Sequence, residues 1–140
     1  MRIGHIENGI VLDHITAGRC MDIYNILKLG EMSCTVAMIK NADSAKMGKK
    51  DIIKIDSDMQ VDLDVLGYID ADITVNIIKD GVRCEKKKLT LPSQIKDVIK
   101  CKNPRCITSI EQELEHVFVL TDPRKEIYRC KWCEEKYRGR

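Results

Sequence analysis

Gly9-Ile10-Val11-Leu12-Asp13-His14-Ile15 is too rich in branched aliphatic side chains for a loop, and it opens on the turn signal Asn8-Gly9. It therefore reads as a strand. The next stretch is helical: Thr16 is placed to cap it, Met21, Ile23, Tyr24, Ile26 and Leu27 give it an apolar side, and Gly30 is placed to end it in the left-handed conformation. Ser33 to Lys40 and Asp51 to Asp56 read as the strands of a long-looped hairpin, with Asn41-Ala42-Asp43-Ser44 as its polar turn. Ser57 and Gln60 have capping-box spacing and open a second helix that shows Val61, Leu63, Val65, Leu66 and Ile69. Ile73 to Ile78 and Val82 to Glu85, joined across Asp80-Gly81, close the series as strands. The order β-α-β-β-α-β plus an extra strand predicts an α+β, ferredoxin-like two-layer domain.

Period-two alternation sorts the polar residues of these strands. Val11 and Asp13 share one side, Ile52, Lys54 and Asp56 share one, and Thr74, Asn76 and Ile78 share one. Such sides can simply be solvated, because antiparallel sheets often wet one face. Their chemistry also suits an anionic ligand. Lys50, Lys54 and Lys86 can neutralise phosphates, Asp13 can accept ribose hydroxyls, and His14 can add a donor. No glycine-rich phosphate loop decides between the two readings.

Downstream, Cys101, Cys106, Cys130 and Cys133 form a C-x4-C and C-x2-C array. Two such knuckles can each turn a pair of sulfurs inward and together supply the tetrahedron that Zn²⁺ accepts. A closed four-sulfur site leaves no position for substrate, so one structural zinc ion is expected. Two disulfides are the alternative. Met1-Arg2-Ile3 opens no basic, apolar, small-residue signal sequence, and an intracellular, cytoplasmic chain would keep these thiols reduced. The 140 residues are expected to divide at Leu91-Pro92-Ser93. Residues 1–92 hold most of the aliphatics, and residues 93–140 make a small, mainly β, rubredoxin-like zinc domain that needs its metal as a staple. A net charge of +2 on the whole chain does not demand nucleic acid, and no apolar stretch reaches the roughly 20 residues that span a bilayer.

Several residues have an ordinary reading beside a functional one. Cys20, Cys34 and Cys84 lie within predicted elements and read as buried small hydrophobes. His116, between the cysteine pairs, is a poorer ligand than the four sulfurs that already close the site. Trp132 and Tyr137 flank the second knuckle and read as packing residues, although they could stack on bases. Asn103-Pro104-Arg105 is a turn whose amides can hydrogen-bond sulfur. Two rival functions stay open on the residues alone: a zinc-ribbon nucleic-acid-binding protein, and a thiol enzyme using Cys130 and Cys133 as a redox pair.

Val11-Leu12-Asp13-His14-Ile15, Met47-Gly48-Lys49-Lys50-Asp51-Ile52-Ile53-Lys54-Ile55, Thr74-Val75-Asn76, Leu91-Pro92 and the four cysteines occur in that order. Together they resemble the aspartate carbamoyltransferase regulatory chain family over nearly the whole sequence. The resemblance implies a nucleotide-binding ferredoxin-like domain and a zinc domain on a chain with no catalytic activity. It implies CTP as inhibitor and ATP as activator of a pyrimidine-biosynthetic enzyme, docking through the zinc domain onto catalytic chains, and pairing of regulatory chains as a homodimer. The matching nucleotide-site positions are Ile6, Val11, Asp13, His14, Lys50, Lys54, Asn76, Ile78 and Lys86. By chemistry Lys86 and His14 fall to the phosphates, Asp13 and Lys54 to the ribose, and Ile6 and Ile78 to the base. The chain departs from the family pattern at Gly4, an acidic position, at Arg83, an aliphatic one, and at Gly81, where an aromatic residue occurs in a known member.

Overall fold

Strand β1, Gly9–Thr16, lies at the centre of a five-stranded sheet. Around it come α1, Cys20–Ile26; β2, Val36–Ser44; β3, Gly48–Ile55; α2, Leu63–Ile69; β4, Thr74–Lys79; and β5, Val82–Lys88. The order across the sheet is β2-β3-β1-β4-β5 with every neighbouring pair antiparallel, so β2 and β5 are the two edges. This is the ferredoxin-like arrangement with the extra strand added beside β4. The computed structural model describes residues 6–137. Gly4 and the opening Met1-Arg2-Ile3 therefore lie outside the described residues. The chain parts into two compact units between Thr90 and Leu91.

One face of the sheet makes the core of the first unit. Ile10, Leu12 and Ile15 of β1, Ile53 and Ile55 of β3 and Val75 of β4 are buried with Ile23 of α1 and Leu66 of α2. Strict alternation would turn Ile15 to the other face. A bulge between Leu12 and Ile15, with His14 at φ 58°, restores it to the core.

Three local details depart from expectation here, and contacts to Asp51 account for two of them. Thr16 ends β1 rather than capping α1. The helix starts after Arg19 with no side-chain cap of its own, because the Asp51 carboxylate, fully buried on β3, accepts the Gly18 and Cys20 N–H groups at 2.9 and 3.3 Å. The left-handed residue after α1 is Lys28 (φ 55°), and Gly30 lies in a 3-10 turn, Leu29–Glu31. Asn41 to Ser44 are strand, not turn. Asn41 (φ 56°) sits at a bulge in β2, and its N–H reaches Asp51 Oδ1 at 3.0 Å, so the pairing resumes at Ala42 and the hairpin closes over residues 45–47.

The second helix begins later than Ser57. Asp62 caps it, with Oδ1 accepting the N–H groups of Asp64 and Val65 at 3.0 and 3.2 Å, which displaces the competing capping box upstream. Cys20 is buried and Cys34 packs against the core, as small hydrophobes do. Cys84 is exposed, because it occupies the bulge of the edge strand β5.

The second unit is a three-stranded antiparallel sheet of β6, Gln94–Lys96; β7, Val117–Asp122; and β8, Ile127–Cys130, in the order β6-β7-β8. Its small core is Ile95, Val117, Phe118 and Tyr128. Tyr137 meets Phe118 edge-on at 5.5 Å, and the Tyr128 hydroxyl donates to the Pro92 carbonyl at 2.6 Å. Core and cysteines together are few for an independent domain, and a bound metal would supply much of its stability.

Candidate functional site

The sheet face opposite the helices carries the polar residues. Ala37, Lys54, Val11, Asn76 and Lys86 occupy one rung that crosses all five strands. Residues directly opposite one another in a sheet share a face, so Lys54 and Lys86 flank Val11 and Asn76 from either side. Asp13 pairs with Thr74, which pairs with Lys88. Gly9 pairs with Ile78, which pairs with Arg83. Asp56, expected to share a side with Lys54, follows directly after β3.

The polar end is held together by short contacts. Lys50 Nζ lies 2.9 Å from Asp13 Oδ1, the Asp13 carboxylate accepts the His14 N–H at 2.6 Å, and His14 Nδ1 lies 3.2 Å from Thr74 Oγ1. Burial acts to raise the Asp13 pKa, but the Lys50 ammonium and the His14 N–H outweigh it and hold the carboxyl below its usual value. Thr74, the hydroxyl partner of His14, is an addition to the expected set. Its signal in the sequence was its place two residues before Asn76 on the same side.

Asn76 sits in the middle of the face. Its Nδ2 reaches the Val11 carbonyl at a long 3.5 Å, and its Oδ1 is buried with no hydrogen-bond partner among the described residues. A buried acceptor left unmade costs free energy, so this oxygen is suited to a ligand donor. At the other end, Ile6 is buried over Gly9. A Cβ on Gly9 would lie 2.2 Å from the Ile55 carbonyl oxygen and 2.9 Å from Ile6 Cγ2. The face thus runs from an apolar end at Ile6, Gly9 and Ile78 to a charged end at Asp13, His14 and Lys50.

The four cysteines of the second unit converge. All four sulfurs lie within 4.8 Å of one another, with Cys101 to Cys133 at 3.6 Å and Cys106 to Cys130 at 3.7 Å. A disulfide requires about 2.05 Å, whereas a tetrahedron of thiolates at about 2.3 Å from a central ion has edges of about 3.8 Å. The donor set fits a closed metal site.

The surrounding groups orient the sulfurs. Thr108 Oγ1 donates to Cys106 Sγ at 3.1 Å, and the amides of Asn103, Trp132 and Cys133 turn toward sulfur. Burial and the neighbouring Cys133 and Cys130 sulfurs push the Cys101 thiol up to about 12, while at Cys106 the Thr108 donors overcome burial and bring it down to about 7. Cys101 and Cys130 therefore resist ionisation in this crowd without a cation. His116 is no ligand in this arrangement: its Nδ1 accepts the Cys101 N–H at 3.2 Å, anchoring the first knuckle. Trp132 is 44% exposed, and its indole N–H donates to the Glu115 carbonyl at 3.0 Å.

Fold and sites define a two-part α+β chain, an antiparallel sheet domain followed by a small four-cysteine metal-binding module. The sequence matches two family models, "Aspartate carbamoyltransferase regulatory chain, allosteric domain" over residues 1–90 and "Aspartate carbamoyltransferase regulatory chain, metal binding domain" over residues 93–140. The aspartate carbamoyltransferase regulatory chain of Clostridium acetobutylicum is 51% identical over 139 residues, covering 99% of this chain and 95% of its own. That of Clostridium botulinum is 52% identical over the same shares, and that of Bifidobacterium longum is 41% identical over 97% of this chain and 98% of its own. The chain belongs to the aspartate carbamoyltransferase regulatory chain family, and it is a non-catalytic, allosteric and metal-binding subunit. Among the described residues no helix is long and apolar enough to cross a membrane.

Proposed function

We propose that residues 1–92 bind CTP as inhibitor and ATP as activator, and that residues 93–140 carry the signal to the catalytic chains of aspartate carbamoyltransferase in pyrimidine biosynthesis. The single observation that carries the reading is the Asn76 amide oxygen, buried and unpartnered among the described residues, on the rung of Lys54, Val11 and Lys86. An acceptor kept dry inside a cationic face favours a ligand that brings both negative charge and a donor, and a nucleotide does so. Lys86 and His14 meet the phosphates, Asp13 and Lys54 the ribose, Ile6 and Ile78 the base, while Lys50 and Val11 complete the walls.

Cys101, Cys106, Cys130 and Cys133 hold one zinc ion. Zn²⁺ accepts four thiolates at the spacing observed, and its role is to fold the docking module. The regulatory chains pair as a homodimer in the cytoplasm, and neither nucleic acid nor membrane is a partner. Control operates by linkage: a nucleotide shifts the enzyme only through tighter binding in one quaternary state, commonly by a factor of roughly 5 to 150. Calorimetric titration of the folded, zinc-loaded chain with CTP, ATP and UTP tests the reading. Saturable heat with CTP and ATP is expected, and no heat with any of the three would leave a purely bridging subunit.

A further inference from the structure

The apolar end of the polar face has a cation of its own. Asp80 and Gly81, at φ 53° and 77°, make the tight turn between β4 and β5. That turn is tied to the segment before β1: the Gly81 N–H donates to the Glu7 carbonyl at 2.9 Å and the Asp80 N–H to Asn8 Oδ1 at 3.3 Å. Ile6, Gly9, Ile78, Gly81 and Arg83 are thereby brought to one end of the sheet. A bulge between Ile77 and Ile78 sets Arg83, rather than Cys84, opposite Ile78. Cys84, Glu85 and Lys87 instead line a cleft of about 600 Å³ with Met59, Leu63 and Val75, which Gly9 and Ile78 also border and Arg83 does not.

Arg83 therefore belongs to the face of Asn76 and Lys86, opposite Ile78, which lies two residues or about 7 Å along β4 from Asn76. Among the described residues no carboxylate pairs with it. Glu85, its near neighbour in sequence, lies 3.8 Å from Lys87. Beside it Gly9 lets the chain pack closely, since a Cβ there would strike the Ile55 carbonyl and Ile6 Cγ2.

We propose that Arg83 is the base-reading residue of this site, selecting a base that presents two adjacent in-plane acceptors. The proposal rests on the nucleotide reading given above. A guanidinium offers two parallel N–H groups, which match O6 and N7 of guanine or O2 and N3 of cytosine. Adenine sets an amino group beside each candidate acceptor on its reading edges, and uracil separates its two carbonyls with an N–H. Both leave one arm of the fork unpaired. A lysine in the same place would keep the charge and lose the fork.

The test is calorimetric titration of the full, metal-loaded chain with GTP, CTP, ATP and UTP, for the native protein and for Arg83→Lys and Arg83→Val. Arg83 is exposed, so neither variant threatens the fold. GTP, CTP or both should bind the native chain roughly 5- to 150-fold more tightly than ATP and UTP. Both variants should bind all four nucleotides alike. The relative affinities of GTP and CTP then tell which base edge is read. Equal binding of the four by the native chain overturns the proposal, as does a preference retained by Arg83→Lys or an even weakening of all four in Arg83→Val, which would mark a phosphate contact. Binding without preference sinks the role of Arg83 alone, whereas no binding of any nucleotide sinks the nucleotide reading with it.

Discussion

Lys50 Nζ stands 2.9 Å from Asp13 Oδ1, so these two charges of the polar face neutralise each other, and Lys54 and Lys86 are its further cations. Asp13 stays ionised down to pH values below its ordinary 3.8, and the pair is lost only as pH falls through that lowered pKa. Removing the charge should divide the two halves of a nucleotide. In Asp13→Asn, Lys50 is released to the phosphates while the ionised acceptor for ribose is gone. The native chain should prefer CTP to its 2′-deoxy analogue by about tenfold, the scale of a hydrogen bond to a charged group, and the variant should lose most of that preference. Parallel titrations with the two ligands measure it, and an unchanged ratio would remove Asp13 from the ribose.

Asn76→Leu is expected to separate stability from binding. The substitution replaces a half-buried side chain, whose buried amide oxygen has no partner among the described residues, with an apolar one of similar size. Denaturant unfolding should show a gain of about 1 kcal/mol, and nucleotide titration should show binding abolished. A loss of stability would mean that the amide oxygen is satisfied in the free protein.

Asp51→Asn should cost about 3 kcal/mol at neutral pH, since one buried carboxylate accepts backbone N–H groups from Gly18, Cys20 and Asn41. Burial alone would raise the Asp51 pKa, but these donors hold it below 3.8. The native contribution is therefore complete above pH 3.8 and fades as pH falls through the lowered value. Unfolding followed at stepped pH should show the two proteins converging in acid, and a constant gap down to the lowest pH would contradict the assignment.

Cys133→Ser should release the metal and prevent co-purification with catalytic chains while leaving nucleotide binding largely intact. The serine hydroxyl cannot complete the set of four sulfurs that lie within 4.8 Å of one another. Metal analysis, pull-down and titration on the same preparation check the three parts. Stoichiometric co-purification of the variant would show that docking does not depend on the metal module.

Periodicity alone carried the strand and helix order, because Ile10, Leu12, Ile53, Ile55 and Val75 bury the face that their alternation selects. It failed where a distant side chain did the work of a local signal. Thr16 and Asn41 both look like caps or turns to their neighbours in sequence, yet the groups they would have served are satisfied by Asp51, some 10 to 35 residues away. Ser57 failed for a different reason, since Asp62 offers the same chemistry nearer the apolar run. The four cysteines were legible from spacing. The bulges that return Ile15 to the core and bring Arg83 to the polar face were not, since a bulge is fixed by cross-strand register.

The two edges of the five-stranded sheet are unlike. The outer strand β5 carries Arg83, Lys86, Lys87 and Lys88, while β2 at the far side has Lys40 alone. Lysines along an edge repel a second strand of the same kind, and an unguarded edge invites one. The basic side chains of β5 thus guard one edge of the sheet against pairing with a further strand, and no such run of charge guards β2.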